Sequence, residues 1–493
     1  MFSRNVIYSA MEPAVLSSGL FPDVHELKRP LWAEAQNVRF YSGKIVRNVP
    51  SALISLPIAG FTPRGLAQQQ ASDGTRWLWM AGLAEVYRWF GPAAELAYTF
   101  TSAGNVNQTS NAPATYIDML PWGNWMVLNN GLDQVVLWKA IGDAAAIVAA
   151  PPIAVQYMKK FNFLLAFGCG SRRTRVEWSD ADDIETWLPA LGNLAGGISI
   201  DDFDTGIVGT SRLGQALSCY NEDQMAIVFY TGDQFVFGQK TVLDGIGAIS
   251  KRSVVSDGGN NFGVGRNGIW WTDGSSAKYI DSGLLHDYLQ ENVNWAQGSK
   301  IHAARNDTTG CIDFYFPMQV STVCTEGWSF DPGTGGWTPI YPCAVQDERK
   351  LFNGTVQGLD TTSAPYTKGD IRLMQQNPAL DAPLLLVTKP LLAQVRTADG
   401  MVDNHTDWFV QEIDLLAKKA LAVRWRLESS EDLSSWEVGA WQVLDKDTTT
   451  YLVDNMASGV YWRLRFESTA TEWELDLQGF QLFGRVEGTR RTA

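Results

Sequence analysis

A short strand hairpin that carries Trp or Phe recurs along most of this sequence. Each copy has an alternating apolar run, a turn rich in Gly, Asp or Asn, and a second apolar run, as in residues 76–82 with 85–90 and residues 125–131 with 134–138. Alternation with a period of two predicts strands, and turn residues between two such runs predict hairpins. The pattern therefore predicts an all-β fold built from many small antiparallel units.

The spacing of the hairpins favours one architecture. Successive hairpins begin roughly 35 to 50 residues apart, which matches four-stranded propeller blades. Separate sandwiches are the alternative, but the hairpins repeat one form without the length variation of Greek-key connections. We predict a β-propeller of six or seven blades over residues 61–375, preceded by an N-terminal arm and hairpin over residues 1–60.

The composition and the strand pattern of the sequence change after the predicted propeller. Residues 376–390 are rich in Pro, Ala and Asn and are predicted to be a linker. Beyond them, residues 421–427 and 461–466 alternate apolar with basic or polar side chains, as in a sheet with one buried face. We predict a C-terminal β-sandwich with a short tail over residues 391–493. The helical signal is confined to one stretch, residues 282–297.

Charge and apolar content narrow the class of function. The chain has 493 residues, of which 45% are hydrophobic and 19% charged. Low charge leaves much of the surface neutral or apolar, which favours a permanent assembly. The net charge of −14 disfavours a nucleic-acid-binding surface, because phosphate binding needs clustered Lys and Arg. Acidic walls would instead suit a conduit through which DNA slides without being held.

Cysteine usage and hydropathy indicate the cellular compartment. The five Cys are widely spaced without a CxxC pair, so neither a disulfide framework nor a zinc site is indicated. No apolar run approaches the roughly 18 residues of a membrane span, and the stretch after Met1 lacks a signal-like apolar core. We expect a protein without a membrane span that stays in the cytoplasm until it is assembled.

Several motifs resemble those of one family. After residues 19–21 (GLF), the stretch 32–40 (WAEAQNVRF) leads into Gly43-Lys44. This arrangement resembles the start of the nozzle and packaged-DNA-stabilisation (hub) proteins of tailed, short-tailed bacteriophages. Three later stretches are similar to the same group: residues 176–187, 206–209 and 226–230. The resemblance spans about residues 15 to 340 and does not include the C-terminal sandwich.

The resemblance implies a function and a set of partners. Such a subunit contains a propeller and forms a ring with copies of itself, commonly a hexamer, in the virion tail. The ring lies below the portal and the adaptor, the head-to-tail connector protein, and it contacts distal needle, spike or fibre proteins. Double-stranded DNA passes along the ring axis without sequence-specific binding, and loops of the subunits retain packaged DNA until ejection.

An acidic stretch is the best metal candidate. Asp180, Asp182 and Asp183 stand within four residues, and closely spaced oxygen ligands suit Ca²⁺. The stretch lacks the regular ligand spacing of a helix-loop-helix site. It is close to the Asp-box pattern of propeller hairpins, with Asp182, Thr186 and Trp187 in place. We favour a structural turn, in which polar side chains bond the backbone and Trp packs below it, and keep metal binding as the alternative.

Two charged groups are candidates for channel-facing or interface positions. The acidic group comprises Asp201, Asp202 and Asp204. The arginine group comprises Arg172, Arg173 and Arg175. For the acidic group we favour a solvated or channel-facing loop over metal binding. For the arginine group we favour a solvated hairpin edge, since edge strands commonly carry charge, over a salt bridge to a neighbouring subunit or a contact with the DNA backbone.

No catalytic constellation stands out in the sequence. An Asp-box could suggest a sialidase or another glycan hydrolase, but these need paired carboxylates, and sialidases also need an Arg cluster and a Tyr. The four His show no metal-ligand spacing. The Gly-rich stretches 263–265 and 333–336 fall in strand turns instead of before a helix, which argues against a dinucleotide site. We expect no enzymatic activity and no cofactor.

The sequence thus predicts an oligomeric virion structural protein, a tail nozzle or hub ring that continues the DNA channel and helps retain packaged DNA. Two alternatives stay open. One is a hub or baseplate component of a long-tailed phage, which would differ only in its neighbours. The other is a glycan-binding or glycan-cleaving tail component, motivated by the abundant Trp, whose rings stack on sugar faces.

Overall fold

The fold is taken from a computed structural model. It describes residues 5–10, 32–41, 44–48, 51–55, 58, 61–90, 93–102, 116–140, 143–146, 151–233, 235–283, 285–340, 345–351, 354–359, 371–374, 384–392, 406–470 and 473–489. The start of the family-like motif at residues 19–21, and Cys343, lie outside these ranges.

Strands dominate the described residues from the start of the chain. The first five are β1 (Asn5–Ser9), β2 (Trp32–Gln36), β3 (Val38–Tyr41), β4 (Lys44–Arg47) and β5 (Ser51–Ser55). They do not form one unit, because they join three different sheets. The N-terminal arm and hairpin predicted for residues 1–60 is therefore only partly right: β3 and β4 do form a hairpin.

The described strands also form seven four-stranded antiparallel sheets, here called blades 1 to 7 in chain order. Blade 1 contains β6 (Gly65–Gln70), β7 (Arg76–Ala81), β8 (Glu85–Phe90) and β9 (Ala93–Thr99). Blade 2 contains β10 (Asp118–Trp122), β11 (Trp125–Asn129), β12 (Val136–Ala140) and β13 (Asp143–Ala146). Blade 3 contains β14 (Ala154–Lys160), β15 (Phe163–Cys169), β16 (Arg172–Trp178) and β17 (Gly196–Ser199).

Blade 4 contains β18 (Gly209–Leu213), β19 (Ala216–Tyr220), β20 (Gln224–Tyr230) and β21 (Phe237–Asp244). Blade 5 contains β22 (Val254–Asp257), β23 (Asn260–Gly265), β24 (Gly268–Thr272) and β25 (Ala277–Tyr279). Helix α1 (His286–Asn292) and a 3₁₀ helix (Trp295–Lys300) follow, a shorter helical segment than predicted. Blade 6 contains β26 (His302–Asn306), β27 (Cys311–Phe316), β28 (Glu326–Phe330) and β29 (Trp337–Ile340).

Blade 7 closes the ring with strands from two parts of the chain. It contains β30 (Val345–Leu351), β31 (Gly354–Leu359), β32 (Ile371–Met374) and, as its outermost strand, β5. The first strand of each blade contacts the first strands of both neighbouring blades, and β30 contacts β6 of blade 1. Apolar clusters fill the space between adjacent blades, as between blades 3 and 4. This is a closed, propeller-like ring, with the larger of the two predicted blade numbers.

The last part of the chain forms a β-sandwich, as predicted. Its further strands are β33 (Leu384–Thr388), β34 (Leu391–Leu392), β35 (Thr406–Leu421), β36 (Arg424–Ser430), β37 (Glu437–Val438), β38 (Gln442–Val443), β39 (Thr450–Gly459), β40 (Tyr461–Ser468) and β41 (Glu474–Thr489). One sheet has the order β3-β4-β41-β35-β39 with β1 on β41, and the other has the order β2-β33-β40-β36-β37 with β34 on β40 and β38 on β36. One buried apolar cluster joins the two sheets.

The predicted linker is wrong for part of its length. Residues 384–388 form β33 inside a sandwich sheet, and Leu384, Leu386 and Val387 are buried. The Pro and Ala around this run suggested a loop. The run itself is apolar, and it forms a strand because β2 and β40 pair with it on either side. Residues 376–383 lie outside the described ranges.

The N-terminal motif is the corner that joins sandwich and propeller. Between β2 and β3 the chain passes from one sandwich sheet to the other at Asn37, which has a φ of 58°. Asn tolerates this left-handed conformation better than most residues. Both β2 and β3 contact β29 of blade 6, where the Phe40 N–H donates to Thr338 Oγ1 at 3.4 Å. The sandwich is thereby seated on the rim of blade 6.

Replacing Trp32 by Ala is expected to destabilise the protein by about 3–5 kcal/mol, because large core aromatic residues leave cavities of that cost. Trp32 is 0% exposed and packs against Phe40 and Phe480, so it connects both ends of the chain. Urea denaturation followed by circular dichroism would measure the change. Trp125→Ala is the matched control, because Trp125 is 39% exposed. Equal losses in the two variants would contradict the assignment of Trp32 to the shared core.

Candidate functional site

The first strand of each blade contacts the first strands of its neighbours around the propeller axis, and we call it the inner strand. The chain enters every inner strand at the same end of the axis. We call this end the entry face; it also carries the turns between the second and third strands of each blade. Buried or largely buried cationic side chains gather here just before the inner strands of three blades: Arg64 before β6, Lys251 and Arg252 before β22, and Lys300 before β26. Together with Tyr116 and Asp118 of blade 2 they form the axial cluster.

Lys251 reaches across the ring. Its Nζ donates to the Tyr116 carbonyl at 2.6 Å and to Asp118 Oδ2 at 3.0 Å. In a ring of seven blades, blades 2 and 5 are three positions apart, which is the largest separation possible. The Lys251 side chain therefore crosses the axis at the entry face.

Arg252 also reaches across the ring, to residues of blades 1 and 2. Its Nη1 donates to the Arg64 carbonyl at 2.6 Å, and its guanidinium lies 4.3 Å from the centre of the Tyr116 ring. The Arg252 carbonyl accepts the Ala303 N–H at 2.9 Å, so the same residue also binds blade 6. One two-residue segment thus joins four blades across the axis at the entry face.

The electrostatics of the axial cluster follow from crowded cations in a buried place. Burial lowers the pKa of Lys251; the Asp118 carboxylate opposes this effect, and Arg252 adds to it. Burial also lowers the pKa of Lys300, with a further contribution from Arg64. Hydrogen bonds compensate for part of this cost, as in the donation from Lys300 Nζ to the Thr322 carbonyl at 2.7 Å.

Sequence reasoning missed the axial cluster. Its members come from four blades and are far apart in the sequence, and only Lys251 and Arg252 are adjacent. In the sequence, the two basic residues resemble an ordinary solvated pair, because their partners belong to other blades. The only signal in the sequence was the adjacency of these two basic residues, which is not specific.

The acidic stretch after β16 is a turn held by its own carboxylates. Asp180 Oδ1 accepts the Leu194 N–H at 2.8 Å, and Asp183 accepts the Glu185 N–H and the Thr186 hydroxyl. Trp187 is buried and donates its ring N–H to the Ile184 carbonyl. The carboxylate that bonds Thr186 belongs to Asp183, not to Asp182, whose φ is 61°.

These contacts give the stretch the geometry of a structural turn. The carboxylate oxygens of Asp180 and Asp183 are directed at backbone N–H groups and a hydroxyl instead of at a common point. Within the described ranges, no group of three or more His, Cys, Asp or Glu side chains is placed to hold a metal ion.

The acidic and arginine groups lie side by side on the entry face of blade 3. The acidic group is exposed in the connection from β17 to β18, and Arg172 and Arg173 are exposed at the start of β16. The Ile207 N–H donates to the Arg173 carbonyl at 2.9 Å, which holds the connection against that strand. Arg175 is half-buried and pairs with Glu177 at 2.6 Å. The structure thus brings the two predicted groups together on one rim.

An Asp–His pair, in which the Asp is buried and the His half-buried, connects α1 to blade 5. Asp281 Oδ2 accepts the Ile269 N–H at 3.0 Å and lies 3.1 Å from His286 Nδ1. Burial raises the pKa of Asp281, while the Ile269 N–H and His286 oppose the shift. A Cβ on Gly268, whose φ is 122°, would come within 2.7 Å of the Asp281 carboxylate. The pair therefore connects the start of the helix to β24 of blade 5.

Apolar side chains are exposed at the opposite end of blades 3 and 4. We call this end the turn face, because it carries the turns between the first and second and between the third and fourth strands. The blade 3–4 patch comprises Phe161, Leu188, Leu191, Tyr230 and Phe235, all exposed. The Phe161 and Tyr230 rings lie 5.2 Å apart, and the Asp182 N–H donates to the Asn162 carbonyl, which ties the leucine-bearing loop to the Phe161 turn.

Comparisons with known proteins leave the family open. No protein-family model matches the sequence, and no curated protein matches it. Virginiamycin B lyase from Staphylococcus aureus matches 66% of this chain over 99% of its own length, with 9% identity and a TM-score of 0.42. An exo-β-1,3-galactanase from Phanerochaete chrysosporium matches 88% of this chain over 99% of its own, with 8% identity and a TM-score of 0.28.

The C-terminal domain of a chitobiase from Bacteroides fragilis matches 22% of this chain over 66% of that domain, with 17% identity and a TM-score of 0.17. Likenesses of this strength carry no argument about activity or partners. The chain folds as an all-β, propeller-like ring with a sandwich. In the part of the chain described, no helix has the length and apolarity to cross a membrane.

Lys251→Met is expected to destabilise the fold by about 3 kcal/mol, because it leaves the Asp118 carboxylate, largely buried, without its cation. Adding Asp118→Asn should recover part of the loss, since no unpaired charge then remains. Chemical denaturation of both single variants and the double variant measures the coupling. Lys240→Met, at an exposed position on β21, is the matched control and should change stability by less than about 0.5 kcal/mol. A double variant no more stable than Lys251→Met would contradict the proposed contact across the axis.

The described thiols are expected to be inert in the folded protein. Cys169, Cys219, Cys311 and Cys324 are buried and free. Burial raises the pKa of Cys169 to about 12 and that of Cys311 to about 11, so at pH 8 fewer than about one in a thousand would be a thiolate. Titration with a thiol reagent at pH 8 should detect at most one fast-reacting group per chain, rising to five in guanidinium. Two or more fast groups in the native protein would contradict this burial.

Proposed function

We propose that this chain is a virion structural protein that forms an oligomeric tail nozzle or hub ring, continues the DNA channel below the portal and adaptor, and helps retain packaged DNA. The blade 3–4 patch carries the proposal. Soluble monomers rarely expose large contiguous apolar patches, and such patches commonly mark interfaces. A permanent ring would bury the patch against a neighbouring subunit.

The side chains that cross the propeller axis support a channel formed between subunits. Lys251 and Arg252 occupy the axis at the entry face through contacts with blades 1, 2 and 6. DNA would therefore pass alongside each propeller, through the centre of the ring of subunits. This arrangement needs several copies of the chain.

Charge supports a channel that does not hold DNA. The net charge is −14, and the acidic group is exposed on the entry face. We propose that this group faces the channel or the adjacent subunit, with the arginine group at the boundary. Acidic walls repel phosphates and let the duplex slide.

The proposed partners are the adaptor, distal needle, spike or fibre proteins, and the DNA in transit. A hub or baseplate role in a long-tailed phage differs only in those neighbours. The glycan-binding alternative has less support, because many of the Trp serve the core. Among the residues that the structure describes, seven Trp are fully buried: Trp32, Trp79, Trp270, Trp337, Trp425, Trp462 and Trp473. We propose a structural, non-enzymatic role.

Electron microscopy tests this proposal. Purified protein is expected to form rings, and antibody-labelled virions should carry the label at the tail, coaxial with the DNA channel. A chain that is monomeric at all concentrations and absent from virions would contradict the proposal. A glycan array serves as the control for the alternative: binding that Trp125→Ala abolishes would favour a glycan-binding component.

A further inference from the structure

The outer face of the sandwich sheet that contains β36 and β40 is rich in arginine. Side chains alternate along a strand between the two faces of a sheet, and Trp425, Leu427 and Leu464 enter the apolar core of the sandwich. The residues between them therefore point away from the core. Six of these outward side chains form what we call the guanidinium face: Arg424, Arg426, Glu428, Arg463, Arg465 and Glu467.

The strand register decides which of these side chains are neighbours. Arg424 is opposite Glu467, and Glu428 is opposite Arg463, so both of these pairs join opposite charges. The pair between them joins like charges, because Arg426 is opposite Arg465. Like charges directly opposite each other destabilise a sheet. An anion placed between Arg426 and Arg465 would remove this repulsion.

Two carboxylates hold three of the four guanidinium groups. Glu428, whose side chain is 1% exposed, accepts from Arg426 Nε at 2.7 Å and from Arg463 Nε at 2.5 Å. Glu467 accepts from Arg424 Nε at 2.9 Å. Hydrogen bonds between guanidinium and carboxylate groups are short and directional, so these three side chains have fixed orientations.

Two indole rings cover the same three groups. The centre of the Trp441 ring lies 4.6 Å from the guanidinium carbon of Arg424 and 4.5 Å from that of Arg426. The centre of the Trp436 ring lies 4.2 Å from that of Arg463. Both rings are half-buried, so part of each remains in contact with solvent. The guanidinium face is therefore an ordered surface in which aromatic rings stand beside positive groups.

Arg465 differs from the other three arginines. Among the residues that the structure describes, no Trp ring lies over its guanidinium group and no acceptor receives a hydrogen bond from its side chain. Its Nε lies 3.7 Å from Glu467 Oε2, and the side chain is 28% exposed. It stands at the centre of the face, beside Arg426 on the neighbouring strand. A guanidinium fork in this position matches the two oxygens of a carboxylate.

The charges around the guanidinium face limit the size of the anion. Four Arg and two Glu give the face a formal charge of +2, and the flanking strands add one charge of each sign, Glu34 on β2 and Lys389 just after β33. Exposed carboxylates lie at both ends: Glu431, Asp432 and Glu437 at the Ser430 end, and Asp445 and Asp447, with Lys446, at the Arg424 end. A long polyanion such as DNA would meet these carboxylates, whereas a single anionic group at the centre would not.

We propose that the guanidinium face binds an acidic saccharide. The carboxylate of a uronate sugar lies between Arg465 and Arg426, and the apolar face of its pyranose ring packs on the solvent-exposed part of Trp441. Guanidinium forks select the carboxylate, and Trp rings stack on sugar faces. This binding activity belongs to the sandwich, does not require the proposed ring of subunits, and does not involve Trp125.

Calorimetric titration of the full chain with tetragalacturonate tests the site. The unchanged chain is expected to bind, and Arg465→Gln is expected to bind at least about tenfold more weakly, because it loses a charge-assisted contact. Arg266→Gln is the matched control, since Arg266 is 60% exposed on blade 5, and its affinity should equal that of the unchanged chain. The neutral methyl ester of the same tetrasaccharide should also bind at least about tenfold more weakly.

Urea denaturation provides a second measurement. Arg465→Gln should unfold at a urea concentration no lower than the unchanged chain, because the substitution removes the repulsion with Arg426. Tetragalacturonate should raise the midpoint of the unchanged chain and not that of Arg465→Gln, since a ligand stabilises only the state that binds it. A lower midpoint for ligand-free Arg465→Gln would contradict the position assigned to Arg465.

Four results of the titration would overturn the site. They are no binding by the unchanged chain, equal binding by Arg465→Gln, equal binding of the methyl ester, and tighter binding of a polyglutamate peptide or a 12-base-pair DNA duplex than of tetragalacturonate. None of them bears on the ring of subunits, which electron microscopy of protein and virions tests separately.

Discussion

Pairing between the first 55 residues and strands that follow the sixth blade is the interaction on which the rest of the molecule depends. β5 completes blade 7 on β32, β2 pairs with β33, and β1 and β4 pair with β41. The first of these pairings closes a loop of more than 300 residues, at an entropic cost of about 5 kcal/mol beyond the constant term. Strand ladders and the shared apolar core of the sandwich offset that cost.

Closure also determines what the axis contains. Only when blade 7 meets blade 1 are the inner strands held in a ring, so that Lys251 and Arg252 lie across from Tyr116, Asp118 and Arg64. Their hydrogen bonds then connect blades that share no strand ladder. The axial cluster is thus both a product of ring closure and a contribution to it.

The division of the surface follows from the same geometry. Charged loops of blade 3 lie on the entry face, whereas the apolar patch of blades 3 and 4 lies on the turn face. The sandwich lies on the rim at blade 6. The two faces of the ring therefore differ in charge and in exposed apolar side chains.

Local features were predictable from the sequence, because their physics is local. Hairpins such as β7 with β8 and β11 with β12 follow from alternation and turn residues within about fifteen positions. The turn at Asp180–Trp187 was also readable as a structural element, although the carboxylate that bonds Thr186 is Asp183 and not Asp182. Alternation and turn residues predicted an all-β chain, and charge and composition predicted an acidic and partly apolar surface.

Only the tertiary structure decided which distant segments pair. Residues 384–388 lie in a region whose Pro and Ala predicted a linker, yet they form a central strand of a sandwich sheet because β2 and β40 pair with them on either side. Asn37 is an ordinary residue in the sequence and a corner between two sheets in the fold. The axial cluster joins residues from four blades. Alternation and turn residues specify a strand but not its partner, since partners hundreds of residues away are selected by the burial that they share in the folded chain.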